Sequence, residues 1–110
     1  MVSMKYQEIV RNLILEHAQH KPKHGDIEVR AIIDEEQGIY LVQQTGWQNQ
    51  RRVHGTSVHI DLIGDKVWVQ HDGTRDGVAN ELVEAGIPKE DIVIGFRPPH
   101  IRPATGFAVA

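Results

Sequence analysis

Apolar residues recur at two different periods along this chain, and the change of period divides it. At the start, Tyr6, Ile9, Val10, Leu13, Ile14 and His17 fall at i, i+3, i+4, i+7, i+8 and i+11, one stripe along a helix that begins near Ser3 as its N-cap. The helix has to stop before Pro22, because proline disfavours helical geometry in the residue ahead of it, and Lys21 to Gly25 link it to a strand. From there the period is two. Ile27, Val29, Ala31 and Ile33 alternate with Glu28, Arg30, Ile32 and Asp34, and the polar loop Glu35 to Gly38 follows.

The stretch from Gly38 to Asp72 organises the rest. Gly64-Asp65 separates an alternating run, Val53 to Ile63, from a second one, Lys66 to His71, at the spacing of a two-residue hairpin. Such a turn dictates register. Ile63 faces Lys66, Asp61 faces Trp68, His59 faces Gln70 and Ser57 faces Asp72, while Leu62, Ile60 and Val58 face Val67, Val69 and His71. Val58, Ile60, Leu62, Val67 and Val69 then share one face, and burying each is worth roughly 1.5 to 3 kcal/mol once something apolar covers it. The opposite face carries His59, Asp61, Gln70 and Asp72 around Trp68, and an antiparallel sheet can offer such a face to a partner. With a further turn at Gln48 to Gln50, the strands sum to a four-stranded antiparallel meander.

After Asp72-Gly73 the helical period returns in Val78, Leu82 and Ala85, with Val83 beside them, and Gly86 and Pro88 end it. Asp91 to Phe96 holds a short β-branched run suited to a buried strand. Pro98, Pro99 and Pro103 keep the remainder extended and out of a central ladder. The apolar end, Gly106 to Ala110, reads as docked on the domain or on a partner, since free termini are generally polar. The expected fold is therefore α+β, a single domain over residues 1–110. It has an N-terminal helix, the four-stranded meander, a second helix, a short strand and an extended C-terminal tail, with both helices on the Val58/Ile60/Leu62/Val67/Val69 face.

Composition narrows the function. A length of 110 residues suits one core, no apolar run approaches the roughly 20 residues of a membrane span, and the N-terminus lacks a signal-peptide pattern, which implies a cytoplasmic location. The absence of cysteine excludes disulfides, thiolate nucleophiles and zinc-thiolate sites. A net charge of -3 disfavours affinity based on phosphate neutralisation, so DNA would be met only indirectly.

Candidate chemistry is sparse. His17, His20 and His24 cluster at the end of the first helix without a ligand spacing, and there is no HExxH pattern. His59 and Asp61, with Asp72 across the strand pair, are the one set that could converge on a cation, which makes a metal-dependent hydrolase the alternative reading; solvation explains the same residues. Ser57 beside His59, and Thr56 beside His54, lack an oxyanion hole, a glycine-rich elbow and an orienting third group. Gly73 to Gly77 is a strand-to-helix turn with too few glycines for a phosphate loop. No catalytic residue, metal or cofactor is expected. Arg51 and Arg52, with Arg97 and Arg102, are a candidate basic spot for a weak DNA-binding accessory role. Trp47 and Trp68 have the character of interface anchors.

Several segments carry a resemblance. Gly46-Trp47, Arg52-Val53, His59-Ile60-Asp61, Lys66-Val67-Trp68-Val69-Gln70, Asp72-Gly73-Thr74, Glu81-Leu82-Val83, Gly86 to Val93 and Thr105 to Ala110 resemble the XisI family, the fdxN element excision controlling factors of cyanobacteria, over essentially the whole chain. The resemblance implies a protein that acts with a companion, XisH, itself similar to an endonuclease. Together they would control excision of a DNA element by a site-specific recombinase during heterocyst development. No catalytic residue carries over. Joined to the polar sheet face, it implies a non-catalytic regulatory protein that contacts a XisH-like partner. The expected contact residues are Trp47, Arg52, His59, Trp68 and Gln70, with Pro99, Arg102 and Phe107 in the tail; a homo-oligomer through the same face is the competing use.

Overall fold

The computed structural model describes residues 4–20, 22 and 25–110. Its elements are α1 (Met4–His17), β1 (Asp26–Asp34), β2 (Ile39–Gln48), β3 (Arg51–Ile63), β4 (Lys66–Asp72), α2 (Val78–Glu84) and β5 (Ile92–Ile94), with short 3-10 turns at Lys89–Asp91 and Arg102–Thr105. The expected N-cap Ser3, and Lys21, Lys23 and His24 of the link, lie outside the described residues. Strands run in the order β1-β2-β3-β4-β5; the first four are antiparallel neighbours, with turns at 35–38, 49–50 and 64–65 as the alternation implied. β5 joins beside β4 in parallel, which requires a crossover, and α2 supplies it.

Both helices lie on one face. Val10, Leu13 and Ile14 of α1 and Val78 and Leu82 of α2 pack in one core with Tyr40, Val42, Val58, Ile60, Leu62, Val67, Val69, Ile92 and Ile94 of the sheet. At about 1.5 to 3 kcal/mol for each buried aliphatic side chain, this inner face is the main source of stability. Polar ties hold α1 at three points along its length. The Tyr6 hydroxyl donates to Asp91 Oδ2 at 2.5 Å, Arg11 Nη1 donates to Glu35 Oε1 at 2.7 Å, and His17 Nε2 donates to Glu81 Oε2 at 2.7 Å.

Two register shifts correct the simple alternation. The first lies between β2 and β3: Val42 pairs with Val58 but Gln43 pairs with Thr56, leaving Ser57 as the extra residue of a bulge. The second lies between β3 and β4: Ile60 pairs with Val69 but His59 pairs with His71, leaving Gln70 extra. The expected pairs His59 with Gln70, Ser57 with Asp72 and Val58 with His71 are therefore wrong beyond Ile60. A bulge reverses the parity of everything after it. His71, expected on the core face, is exposed, and Asp72, expected on the polar face, pairs with Val58 and turns inward.

That reversal gives Asp72 a structural task. Its Oδ2 accepts from the Val78 amide at 2.8 Å, and its Oδ1 accepts from the Thr74 amide at 2.9 Å and the Thr74 hydroxyl at 2.5 Å. One carboxylate thus orders the 73–77 turn and satisfies an N-terminal amide of α2.

Gly46 shows how closely β1 and β2 approach. A Cβ there would sit 2.0 Å from the Asp26 carbonyl oxygen. Gly46→Ala is expected to lower stability by at least about 2 kcal/mol, because the obstructing atom is backbone and cannot rotate away; chemical denaturation measures it, and an unchanged midpoint would refute the packing described. The Tyr6–Asp91 bond makes a second prediction. Hydrogen bonding to Asp91, then burial, raise the Tyr6 hydroxyl from 10.0 to about 12. A raised acid contributes stability below its unfolded pKa and loses it as pH rises through the folded one. Thermal midpoints of the wild type should thus fall between pH 10 and 12 more steeply than those of Tyr6→Phe, whereas parallel curves would exclude the tie.

Candidate functional site

With the inner face covered by helices, the outer face holds the sheet residues left open to solvent. Register places Asp34, Ile39, Asp61, Trp68 and Val93 in one row across all five strands, and Ile32, Leu41, His59 and His71 in the next. His59 Nε2 donates to Asp61 Oδ1 at 2.7 Å, and Gln70 Nε2 donates to Asp61 Oδ2 at 3.2 Å. Gln70 reaches this carboxylate because the bulge at its position splays it between the two rows. The three side chains form a joined polar group of which Asp61 is the shared acceptor.

The C-terminal segment shapes one side of this group. Arg102 lies over the Trp68 ring, its guanidinium carbon 5.1 Å from the ring centre. It also donates to three carbonyls of its own segment: Arg97 at 3.0 Å, Val109 at 3.4 Å and Gly95 at 3.5 Å. Arg102 thereby ties both ends of the 95–109 excursion to one ring, a cation–π contact reinforced by the fork of the guanidinium. Gly95 permits the approach, since a Cβ there would meet Gln70 Oε1 at 2.6 Å and Trp68 Cε3 at 3.2 Å. Ala108 donates to the Ile92 carbonyl at 2.8 Å and bridges Val93, which is fully buried despite its place on the outer side. The apolar tail end is docked on its own domain.

Around this polar centre lies an apolar band that the reading of the sequence did not single out. Ile32 is 46% exposed and Ile63 51%, with the half-buried Ile39 and Leu41 between them. The signal was present in Ile39-Tyr40-Leu41-Val42, a run apolar at both parities, which is what a strand covered on both faces requires.

The expected site residues are only partly brought together. His59, Gln70, Trp68 and Arg102 are contiguous. Trp47 and Arg52 share the outer face but pair with each other at the far end of the β2–β3 hairpin, Arg52 stacking 5.2 Å from the Trp47 ring. From Arg52 to Asp61 is nine residues of strand, roughly 25 to 30 Å, so Arg51 and Arg52 make no common basic spot with Arg102. Pro99 is exposed in the tail. Phe107 is not on the outer face with Trp68; it packs against the core cluster, with Lys89 Nζ 5.8 Å from its ring centre.

The metal set does not assemble. Asp72 is spent on the α2 turn, on the other side of the sheet from His59 and Asp61, and no group of three His, Cys, Asp or Glu that could hold a metal ion occurs among the described residues. No helix among them is long and apolar enough to cross a membrane.

The class of fold is a helix-backed, five-stranded mixed sheet whose polar and aromatic outer face is partly covered by its own tail. The comparisons make the assignment specific: the family model described as XisI protein matches residues 2–109, and the chain belongs to the XisI family. A crystal structure of a XisI-like protein from Anabaena variabilis superposes with a TM-score of 0.89 at 38% identity, covering 96% of this chain and 97% of that one. The crystal structure of the fdxN element excision controlling factor XisI from Anabaena variabilis gives 0.82 at 30% identity, with 96% of each chain covered. No curated protein matches the chain.

Removing the Arg102 side chain is expected to loosen the tail without unfolding the domain. In a Trp47→Phe background, where Trp68 is the single indole, Arg102→Ala should shift Trp68 emission to longer wavelength and speed proteolysis within 96–106. The cost to global stability should be about 1 to 2 kcal/mol. Unchanged emission and cleavage would mean that Arg102 does not hold the segment.

Proposed function

We propose that this chain is a non-catalytic controlling subunit that binds a XisH-like, nuclease-related partner through the outer face of its sheet and so regulates excision of a DNA element. The observation that carries this reading is the composition of that face. Ile32, Ile63 and Trp68 surround the His59–Asp61–Gln70 group, where exposed apolar surface beside directional polar groups suits a protein surface. The Ser57 hydroxyl donates to the Val42 carbonyl at 3.4 Å while His59 is engaged by Asp61, and no third metal ligand joins that pair among the described residues, which favours recognition over catalysis. The net charge of -3 favours contact with DNA through the partner rather than directly. The family resemblance supports the same role, since a relative of this fold is called an excision controlling factor.

Co-expression with a XisH-like protein, followed by size-exclusion chromatography, should give a co-eluting complex. Trp68→Ala and Ile32→Asp should each weaken it by about tenfold or more if they truncate central contacts. Elution apart at micromolar concentration would refute the partner, and complexes insensitive to both substitutions would refute the face. Gel shifts with the chain alone should show no retardation at physiological salt; retardation that Arg51→Ala or Arg52→Ala abolishes would favour a DNA-binding accessory factor instead.

A further inference from the structure

The two edges of the sheet are built differently. β5 is three residues long, its outer side is bridged by Ala108, and Pro98, Pro99 and Pro103 follow it, all devices that blunt an edge. β1 has none of them. It runs nine residues, pairs with β2 in unbroken register from Asp26 to Asp34, contains no proline, lysine or bulge, and has no strand on its other side among the described residues. A long, regular edge presents a row of unpaired amides and carbonyls that another strand can continue.

We infer that β1 is a docking edge for a second copy of this chain, pairing antiparallel about a two-fold axis at Val29. The occupant follows from charge and parity. In antiparallel self-pairing, opposed residues must point their backbone groups the same way, so only residues of like parity can face each other. Centring on Arg30 opposes the two Arg30 side chains and sets Asp26 against Asp34. A centre at Glu28 opposes two carboxylates, and one at Ala31 sets Glu28 against Asp34. Centring on Ile32 sets Arg30 against Asp34 but overlaps only residues 30–34 of each strand; with Val29 at the centre the overlap is 26–32, each Glu28 faces the other copy's Arg30, and Ile27 faces Ala31 on the inner side. Glu28 and Arg30 are already oriented together, Arg30 Nε donating to Glu28 Oε1 at 3.1 Å, and both side chains are mostly exposed, 63% and 68%. The pair would become a four-charge ladder across the joint, and the two sheets would continue into one of ten strands. Such an isologous contact uses an edge, leaving both outer faces free; it stands independently of the proposed partner.

The chain lacks cysteine, so a cross-link at the axis can be read without background. Val29→Cys should oxidise to a covalent dimer, because directly opposed strand residues fall within disulfide reach, while Ala31→Cys should not. By sedimentation from micromolar to millimolar concentration the wild type should be dimeric. Arg30→Glu alone and Glu28→Arg alone should each weaken the dimer by about tenfold or more, since both facing pairs become like-charged. An equimolar mixture of those two variants should dimerise, because every facing pair is again opposite in sign. A monomeric wild type, cross-linking at Ala31→Cys in place of Val29→Cys, or a mixture as weak as its components would overturn the inference. Circular dichroism of each variant confirms that the monomer remains folded, and a loss of fold in both charge variants, which sit on exposed positions, would also count against it.

Discussion

A β-strand turns its side chains to alternate faces, so a long strand can keep one apolar face only if its register is corrected wherever the sequence falls out of phase. This constraint governs the molecule. β3 spans thirteen residues, and its Val53 is out of phase with Val58, Ile60 and Leu62. The bulge at Ser57 absorbs the slip, so that Val53 and the Val58 series both lie toward the helices. The bulge at Gln70 does the same for β4, with a larger consequence: it ejects His71 and turns Asp72 inward, where the carboxylate starts α2. Without that reversal α2 would lose its N-terminal acceptor, and the crossover that delivers β5 to the sheet edge would lose its anchor.

The same two corrections divide the labour between faces. Inward, aliphatic side chains meet α1 and α2; outward, the polar residues of β3 and β4 converge on Asp61 because Gln70 is released from strict pairing. The tail completes the division. Arg102 covers one side of Trp68 and Ala108 closes the edge of β5, so the C-terminal segment belongs structurally to the sheet although it contributes only a bridge to it. The outer face is thus neither bare nor buried: it is bounded by the tail on one side and left open across β1 to β3.

Most of this architecture was legible in the sequence because it rests on local period and turn chemistry. The α1 stripe, the three turns, the hairpin register down to Ile60 with Val69, the stop at Gly86 and Pro88, and the strand at Ile92 to Ile94 all follow from spacing. What failed had a different origin. A bulge leaves a weak trace in sequence, so an unbroken alternation carried His71 inward and Asp72 outward, and the supposed metal set His59, Asp61 and Asp72 arose from that one parity error. The position of Phe107 depends on where the tail folds back, and the gathering of Gln70, Trp68 and Arg102 depends on contacts between segments far apart in sequence. Neither has a local signature.

Asp61 illustrates what the fold makes of a residue that chemistry alone leaves ambiguous. A carboxylate beside a histidine invites a reading as acid, base or ligand. Here both its oxygens are engaged by neighbours on the same face, one by His59 and one by Gln70. Among the described residues no third histidine, cysteine, aspartate or glutamate joins this pair as a possible ligand, since Asp72 is held on the other face. A partner's side chains, in contrast, can lie across Ile32, Leu41 and Ile63 while meeting the remaining donor and acceptor positions of His59 and Gln70. Preorganised polar groups set among exposed apolar ones favour specificity of docking.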